Sequence, residues 1–203
     1  MCCAGWNTLS QSWLLSAGQT IRAAQDLGLH LSPRRLQLSE IEKEQRRRIW
    51  WCVYGLDRVL SISLGRPGAT NEDGCDVEYS SQVDDDDLEA YCRGKIKESQ
   101  TSYMCGFVAL LKIYVVAGKI VRSAHSLQLL RDMRKTKAQI PQVIQHLDVM
   151  LEDWVESLPS NVKYAANDAG NPKILTLCLI AFFVYYSATI NLRECMDLPW
   201  AVL

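Results

Sequence analysis

The sequence predicts an all-α fold, and three observations carry that prediction. In every long segment of the 203 residues the apolar side chains recur at three-to-four spacing, the mark of helices with one buried face. No run alternates apolar and polar residues between paired turn residues, as a half-buried strand would. Helix start and stop signals fall where the periodic segments begin and end. About five main helices are expected, packed irregularly, as one domain over residues 1–203 that forms part of a larger helical domain. No period of 20–50 residues repeats, so a solenoid of similar units is not predicted.

The first helix covers residues 7–27, with Trp13, Leu14, Ala17, Ile21, Ala24 and Leu27 on one face and Gly28 ending it. A loop follows at Ser32-Pro33-Arg34-Arg35, and His30 beside it is expected to pack or cap locally, because no second ligand lies at metal spacing. Ser39-Glu40-Ile41-Glu42 is a capping box, and its glutamates suit the positive end of the helix it starts. Arg46, Arg47 and Arg48 follow within one turn of Glu44, so they are read as a salt-bridged helix surface rather than as phosphate ligands.

That helix continues through Trp50, Trp51, Val53, Tyr54, Leu56, Leu60 and Leu64. It is apolar nearly all round and is expected to be buried nearly all round, as the centre of the fold. Asp57 and Arg58 interrupt the apolar run and are expected to form a buried, paired lock. Gly65-Arg66-Pro67-Gly68 reads as a turn, lacking the glycine spacing and the Lys-Ser/Thr of a phosphate loop.

Residues 69–87 form an acidic segment expected to be a flexible, solvated loop, whose Asp87 caps the next helix. One helix is then predicted over residues 88–123. A further helix opens at Pro141 and runs through Leu147, Leu151 and Trp154 to Leu158-Pro159. Residues 174–190 are the most hydrophobic stretch and are predicted to be a core helix. At seventeen residues they sit at the short limit for crossing a bilayer, so no membrane is expected as a partner.

Composition narrows the function classes. The chain is 48% hydrophobic and 22% charged, which is globular, and its net charge of −1 gives no general reason to bind nucleic acid. Its eight cysteines contain no CxxC pair, so reduced thiols are expected, with Cys52, Cys105 and Cys178 buried in apolar helices. The chain does not open with a charged segment followed by an apolar one, so no secretory signal is predicted. No GxSxG elbow, HExxH pair or glycine-rich phosphate loop occurs, and the three histidines are scattered. A non-enzyme is therefore expected, with no catalytic, cofactor or metal residues. The alternative is a helical small-molecule-binding protein or enzyme with an apolar pocket.

One set of motifs goes further. Glu44, Arg46, Arg47, Arg48, Trp50 and Trp51 are followed by Leu56-Asp57-Arg58 and then by Leu64-Gly65-Arg66-Pro67. Upstream lie Ala23-Ala24 and Leu27-Gly28-Leu29-His30, and downstream Leu151, Trp154 and Leu158-Pro159. In this order and at these intervals they resemble the regulatory domain of fungal zinc-cluster (Zn2Cys6) transcription factors, also called the fungal-specific transcription factor domain or middle homology region. The resemblance covers roughly residues 10–192.

The resemblance implies a non-catalytic, nuclear domain that controls transcription by RNA polymerase II. Arg46, Arg47, Arg48, Trp50, Trp51, Asp57, Arg58, Gly65, Arg66 and Pro67 would then be its structural signature. The partners it implies are the transcription machinery or co-regulators, a small-molecule effector, and a second copy or a relative in a dimer. DNA would be reached only through the family's separate N-terminal cluster, whose zinc is the family's cofactor; the 203 residues contain no such six-cysteine pattern.

Overall fold

The computed structural model describes residues 3–64, 68–71, 74–99, 102–129, 140–163 and 172–196. Among these, every regular element is helical: α1 (Cys3–Asp26), α2 (Glu40–Leu64), α3 (Leu88–Cys92), α4 (Tyr103–Leu129), α5 (Ile140–Glu156), α6 (Ser160–Lys163) and α7 (Pro172–Met196), with 3-10 turns at Pro33–Arg35 and Asp85–Asp87. The all-α expectation holds, with five long helices and two short ones. The chain forms two compact units, Met1–Val108 and Ala109–Leu203.

In the first unit α1 packs on α2. Ala17, Ile21 and Ala24 line its buried face, but Trp13 and Leu27 point outward, so the apolar face is shorter than the periodicity suggested. Gly28 ends α1 as expected. At φ +65° it lets its own amide reach the Gln25 carbonyl (2.8 Å) and the Leu29 amide reach that of Ala24 (3.0 Å), which satisfies the last turn.

The helix predicted over residues 88–123 is two helices. Gly94 (φ +72°) closes α3 with the same bond pair, Gly94 to Tyr91 and Lys95 to Ala90. Asp87 stands at the N-cap of α3 but makes no side-chain cap bond. The capping goes to α4 instead, where the Ser102 hydroxyl accepts the Cys105 amide (3.1 Å) and Asp84 accepts the Met104 amide (3.2 Å).

The acidic segment is not wholly solvated. Thr70, Val77, Ser80, Ser81 and Val83 are buried, while Asp85, Asp86 and Asp87 face solvent. These residues form an extended strap against α2. Nor is α2 enclosed on all sides. Trp50, Trp51, Tyr54, Asp57 and Arg58 are buried, while Ile49, Cys52, Leu56 and Val59 are exposed. The expected burial of Cys52 is thereby overturned, because it lies on the outward face.

In the second unit α7 packs on α5 and α6. Ile144, Leu147, Leu151, Trp154 and Leu158 meet the face of α7 made by Cys178, Ala181, Val184, Ala188 and Leu192. The Trp154 indole donates to the Ala109 carbonyl (2.9 Å), stacks on Tyr185 and meets the Phe182 ring edge-on. Helix α7, expected as a core helix, is covered along one face only. Leu179, Phe183, Tyr186 and Ile190 are exposed, Phe183 to 71%, because small residues on the buried face bring only one side of the helix against its neighbours. Helices α4 and α7 are each long and apolar enough to cross a membrane by length and composition; two-thirds of the α4 stretch is buried in the protein.

Candidate functional site

Helix α2 holds the strap through its own charged side chains. Glu44 is 2% exposed, one turn into the helix, and its carboxylate has three donors. Oε1 accepts Arg48 Nε (3.1 Å) and the Ser81 amide (2.8 Å), and Oε2 accepts Arg47 Nη1 (3.1 Å). A buried carboxylate needs this degree of satisfaction to offset its lost hydration. Arg47 also donates to Glu78 Oε2 (3.4 Å), and Glu78 Oε1 accepts the Ser32 hydroxyl (2.6 Å) and pairs with Arg34. Arg48 reaches further along the strap, to the Val83 carbonyl (2.6 Å) and to Asp85. Arg46 turns the other way and donates to the Leu27 carbonyl (2.7 Å), tying α2 to the end of α1.

The three arginines thus spend their donors on groups within the protein. Their partners lie in a half-enclosed layer rather than on an open helix surface.

The tryptophans divide their work. Trp50 is 1% exposed and its ring centre lies 5.8 Å from that of His30, which packs locally as expected. Trp51 donates its indole N–H to the Glu78 carbonyl (2.8 Å) and stacks on Tyr79 (4.6 Å between ring centres). Further along, Asp57 accepts the amides of Ala69 (3.0 Å) and Thr70 (3.1 Å), and Arg58 donates to the Thr70 carbonyl (2.5 Å) while lying over the Tyr54 ring. The expected buried pair stands 3.9 Å apart, and strap backbone donates to Asp57 and accepts from Arg58. Gly65, Arg66 and Pro67 lie outside the described residues.

Between α2, the strap and the α3 turn is a cleft of about 610 Å³. Glu44, Arg47, Glu78, Ser81, Tyr91 and Lys97 are among the residues lining it. Burial would raise the Glu78 carboxyl, but the Ser32, backbone, Arg47 and Arg34 donors outweigh it and hold the group below the usual carboxylate range. Cys92 on the same wall is pushed up, first by burial and then by the charges of Glu44 and Glu40, so its thiol stays protonated at neutral pH. Among the described residues no three His, Cys, Asp or Glu side chains gather as a metal site.

The bonding roles of the strap residues Glu78, Ser81 and Thr70, and of Ser32 in the loop before α2, escaped the sequence reading. These residues lie 12 to 46 positions from the groups they bind, and no local spacing marks such pairs.

Comparison with known proteins bears on this arrangement. The chain is 28% identical over 89% of its length to a transcriptional regulatory protein of Schizosaccharomyces pombe, of which it covers 23%. It is 26% identical over 86% of its length to an ABC-transporter-regulating transcription factor of Aspergillus fumigatus, covering 19% of that protein. It is 29% identical over 74% of its length to an acetamidase regulatory protein of the same fungus, covering 18%. The chain therefore spans about a fifth of the length of these curated relatives. No solved structure matches it. The profile of the fungal specific transcription factor domain matches residues 1–156, which contain α1, α2, the strap and its anchoring side chains, and the chain belongs to that family.

Proposed function

We propose that these 203 residues are the regulatory, effector-responsive part of a fungal transcription factor, acting without catalysis in the nucleus. Contact with DNA is made by a zinc cluster outside these residues, and the domain works on the transcription machinery or on co-regulators, alone or as a homo- or heterodimer. The observation that carries this reading is the strap, whose residues 75–84 have no helical structure of their own. Side chains of α2 set its position rather than a large apolar face. Such a segment is a natural two-position element, because a molecule or partner that competes for one anchor changes the path of the whole strap.

The test fuses the chain to an unrelated DNA-binding domain over a reporter gene in a fungal host. Reporter output should differ from that of the DNA-binding domain alone, and Glu78→Gln, which loosens the strap, should shift it again. Identical output from all three would refute the reading.

A further inference from the structure

We propose that the outward face of α7 is an interface with a second copy of this chain, the two α7 helices packing antiparallel about a two-fold axis. The proposal goes beyond the regulatory reading, because it stands on α7 by itself and names the surface that pairs. Three observations support it.

The first is spacing. Leu179, Phe183, Tyr186 and Ile190 are exposed by 64, 71, 61 and 58% and follow one another at intervals of four, three and four residues. That is the 3.5-residue repeat of a seam between two helices. It lies on the side of α7 opposite Cys178, Ala181, Val184, Ala188 and Leu192, which pack within the protein. The Tyr186 ring is already held edge-on by Tyr185 (5.3 Å between centres), which stacks on Trp154, so this anchor is in place before a partner arrives.

The second is self-complementarity. A closed pair of copies uses one patch twice, so the patch must fit itself. Reversed about its midpoint, the stripe sets position 179 against 190 and position 183 against 186, aliphatic on aliphatic and aromatic on aromatic. At its ends Thr176 faces position 193, an arginine that Asp148 already pairs (3.8 Å). A parallel pair would instead bring Arg193 against its own copy. No charged residue lies between positions 176 and 192, so no like charges meet along the seam.

The third is surface. At about 200 Å² for each large side chain, the four residues and the 40% exposed Ile180 present on the order of 600 Å² on each copy, enough to clear the 1,000 Å² or so of a specific interface. Polar groups beside the seam are served within α7: Thr176, Thr189 and Asn191 donate to the carbonyls of Pro172, Tyr185 and Ser187 at 2.8–2.9 Å. Covering them therefore strands little hydrogen-bonding capacity. A bilayer surface fits less well, since a helix that lies on one carries lysine and arginine along its rim.

Sedimentation velocity of the purified chain over a hundredfold range of concentration should show a monomer passing to a dimer. Phe183→Glu and Tyr186→Lys should each weaken the dimer at least about a hundredfold, because each change enters the two-fold seam twice at a central anchor. Both side chains are exposed, so circular dichroism should stay parent-like. Leu56→Glu, on the exposed face of α2, should leave the dimer intact. Mixing the Phe183→Glu and Tyr186→Lys proteins should restore a dimer, because only antiparallel packing sets residue 183 of one copy against residue 186 of the other. Two differently tagged copies expressed together in a fungal host should co-precipitate with the same dependence.

A monomer at every concentration, a dimer indifferent to both substitutions, no recovery on mixing, or no co-precipitation would each overturn the proposal. Failure of the regulatory reading looks different: the dimer forms and responds as described, yet the reporter fusion gives the output of the DNA-binding domain alone.

Discussion

Replacing Asp57 with alanine probes the contact that most distinguishes the structure from a simple buried ion pair. The carboxylate receives the Ala69 and Thr70 amides, and the Thr70 bond is fully buried. Alanine leaves both amides without an acceptor, at a cost of about 1–3 kcal/mol for a buried one and less for the half-exposed Ala69. Arg58 keeps the Thr70 carbonyl and the Tyr54 ring, so its loss is limited to a neighbouring charge at 3.9 Å. The sum is about 3 kcal/mol, below the full cost of stranding a buried charge. For a chain of this length that corresponds to a fall of roughly 6–12 °C in thermal midpoint.

Circular dichroism melts read the midpoint, and amide exchange reads the strap directly. Residues 69 and 70 should lose protection, while Trp50 and Tyr54 in the middle of α2 keep theirs. Asp57→Asn, which retains one acceptor, should fall between parent and alanine variant. An unchanged midpoint with unchanged exchange at 69 and 70 would show that Asp57 does not hold the strap.

Two further predictions concern the same layer. At Gly68 a Cβ would overlap the Arg58 guanidinium and stand 3.0 Å from Asp57 Oδ2. Arg58 is pinned and cannot retreat, so Gly68→Ala should destabilise by about 1–3 kcal/mol; a parent-like urea midpoint would refute this, and Gly74→Ala, with open space around it, is the control. The Glu78 carboxyl is held below its ordinary value, so its contribution is complete above the unfolded carboxylate value of roughly 4.3 and is lost as pH falls through the lower folded value. Thermal midpoints should therefore drop on acidification through that window, and Glu78→Gln should flatten the drop. Parallel curves for the two proteins would remove Glu78 from the clasp.

How far the sequence could be read depended on whether a signal was local. Gly28 as a helix stop and Ser39 with Glu42 as a capping box are decided within a few residues, and both are found: the Ser39 hydroxyl accepts the Glu42 amide at 3.3 Å and Glu42 accepts the Ser39 amide at 2.9 Å. Gly94 carried the same kind of signal as Gly28. The single helix predicted over residues 88–123 runs across it, although its apolar face starts only at Tyr103. Glu44 pairing with Arg47 and Arg48 was legible as one-turn spacing. That the same carboxylate also receives the Ser81 amide, 37 positions away, was not. Helix α7 shows the opposite case, where composition predicted a core helix and only one face is covered. Which half of an apolar helix is covered depends on the neighbours, and the small side chains of Ala181 and Ala188 were the only hint of where close packing would fall.

The same dependence accounts for the charged residues of α2. Helix α2 buries Glu44, Asp57 and Arg58 while leaving Ile49, Cys52, Leu56 and Val59 exposed, the reverse of what transfer free energies favour for a helix by itself. Apolar residues at the buried positions could give equal or greater stability, since a buried ion pair rarely exceeds a well-packed hydrophobic substitute. Apolar packing is non-directional, however, and would allow the strap to slide. Hydrogen bonds from the Ser81 amide to Glu44, from Arg48 to the Val83 carbonyl, and from the Ala69 and Thr70 amides to Asp57 fix its register atom by atom. These charged side chains thus specify where the strap lies, and with it the walls of the cleft. Conservative loss of charge at Glu44 or Asp57 should therefore disturb the cleft before it unfolds the helices.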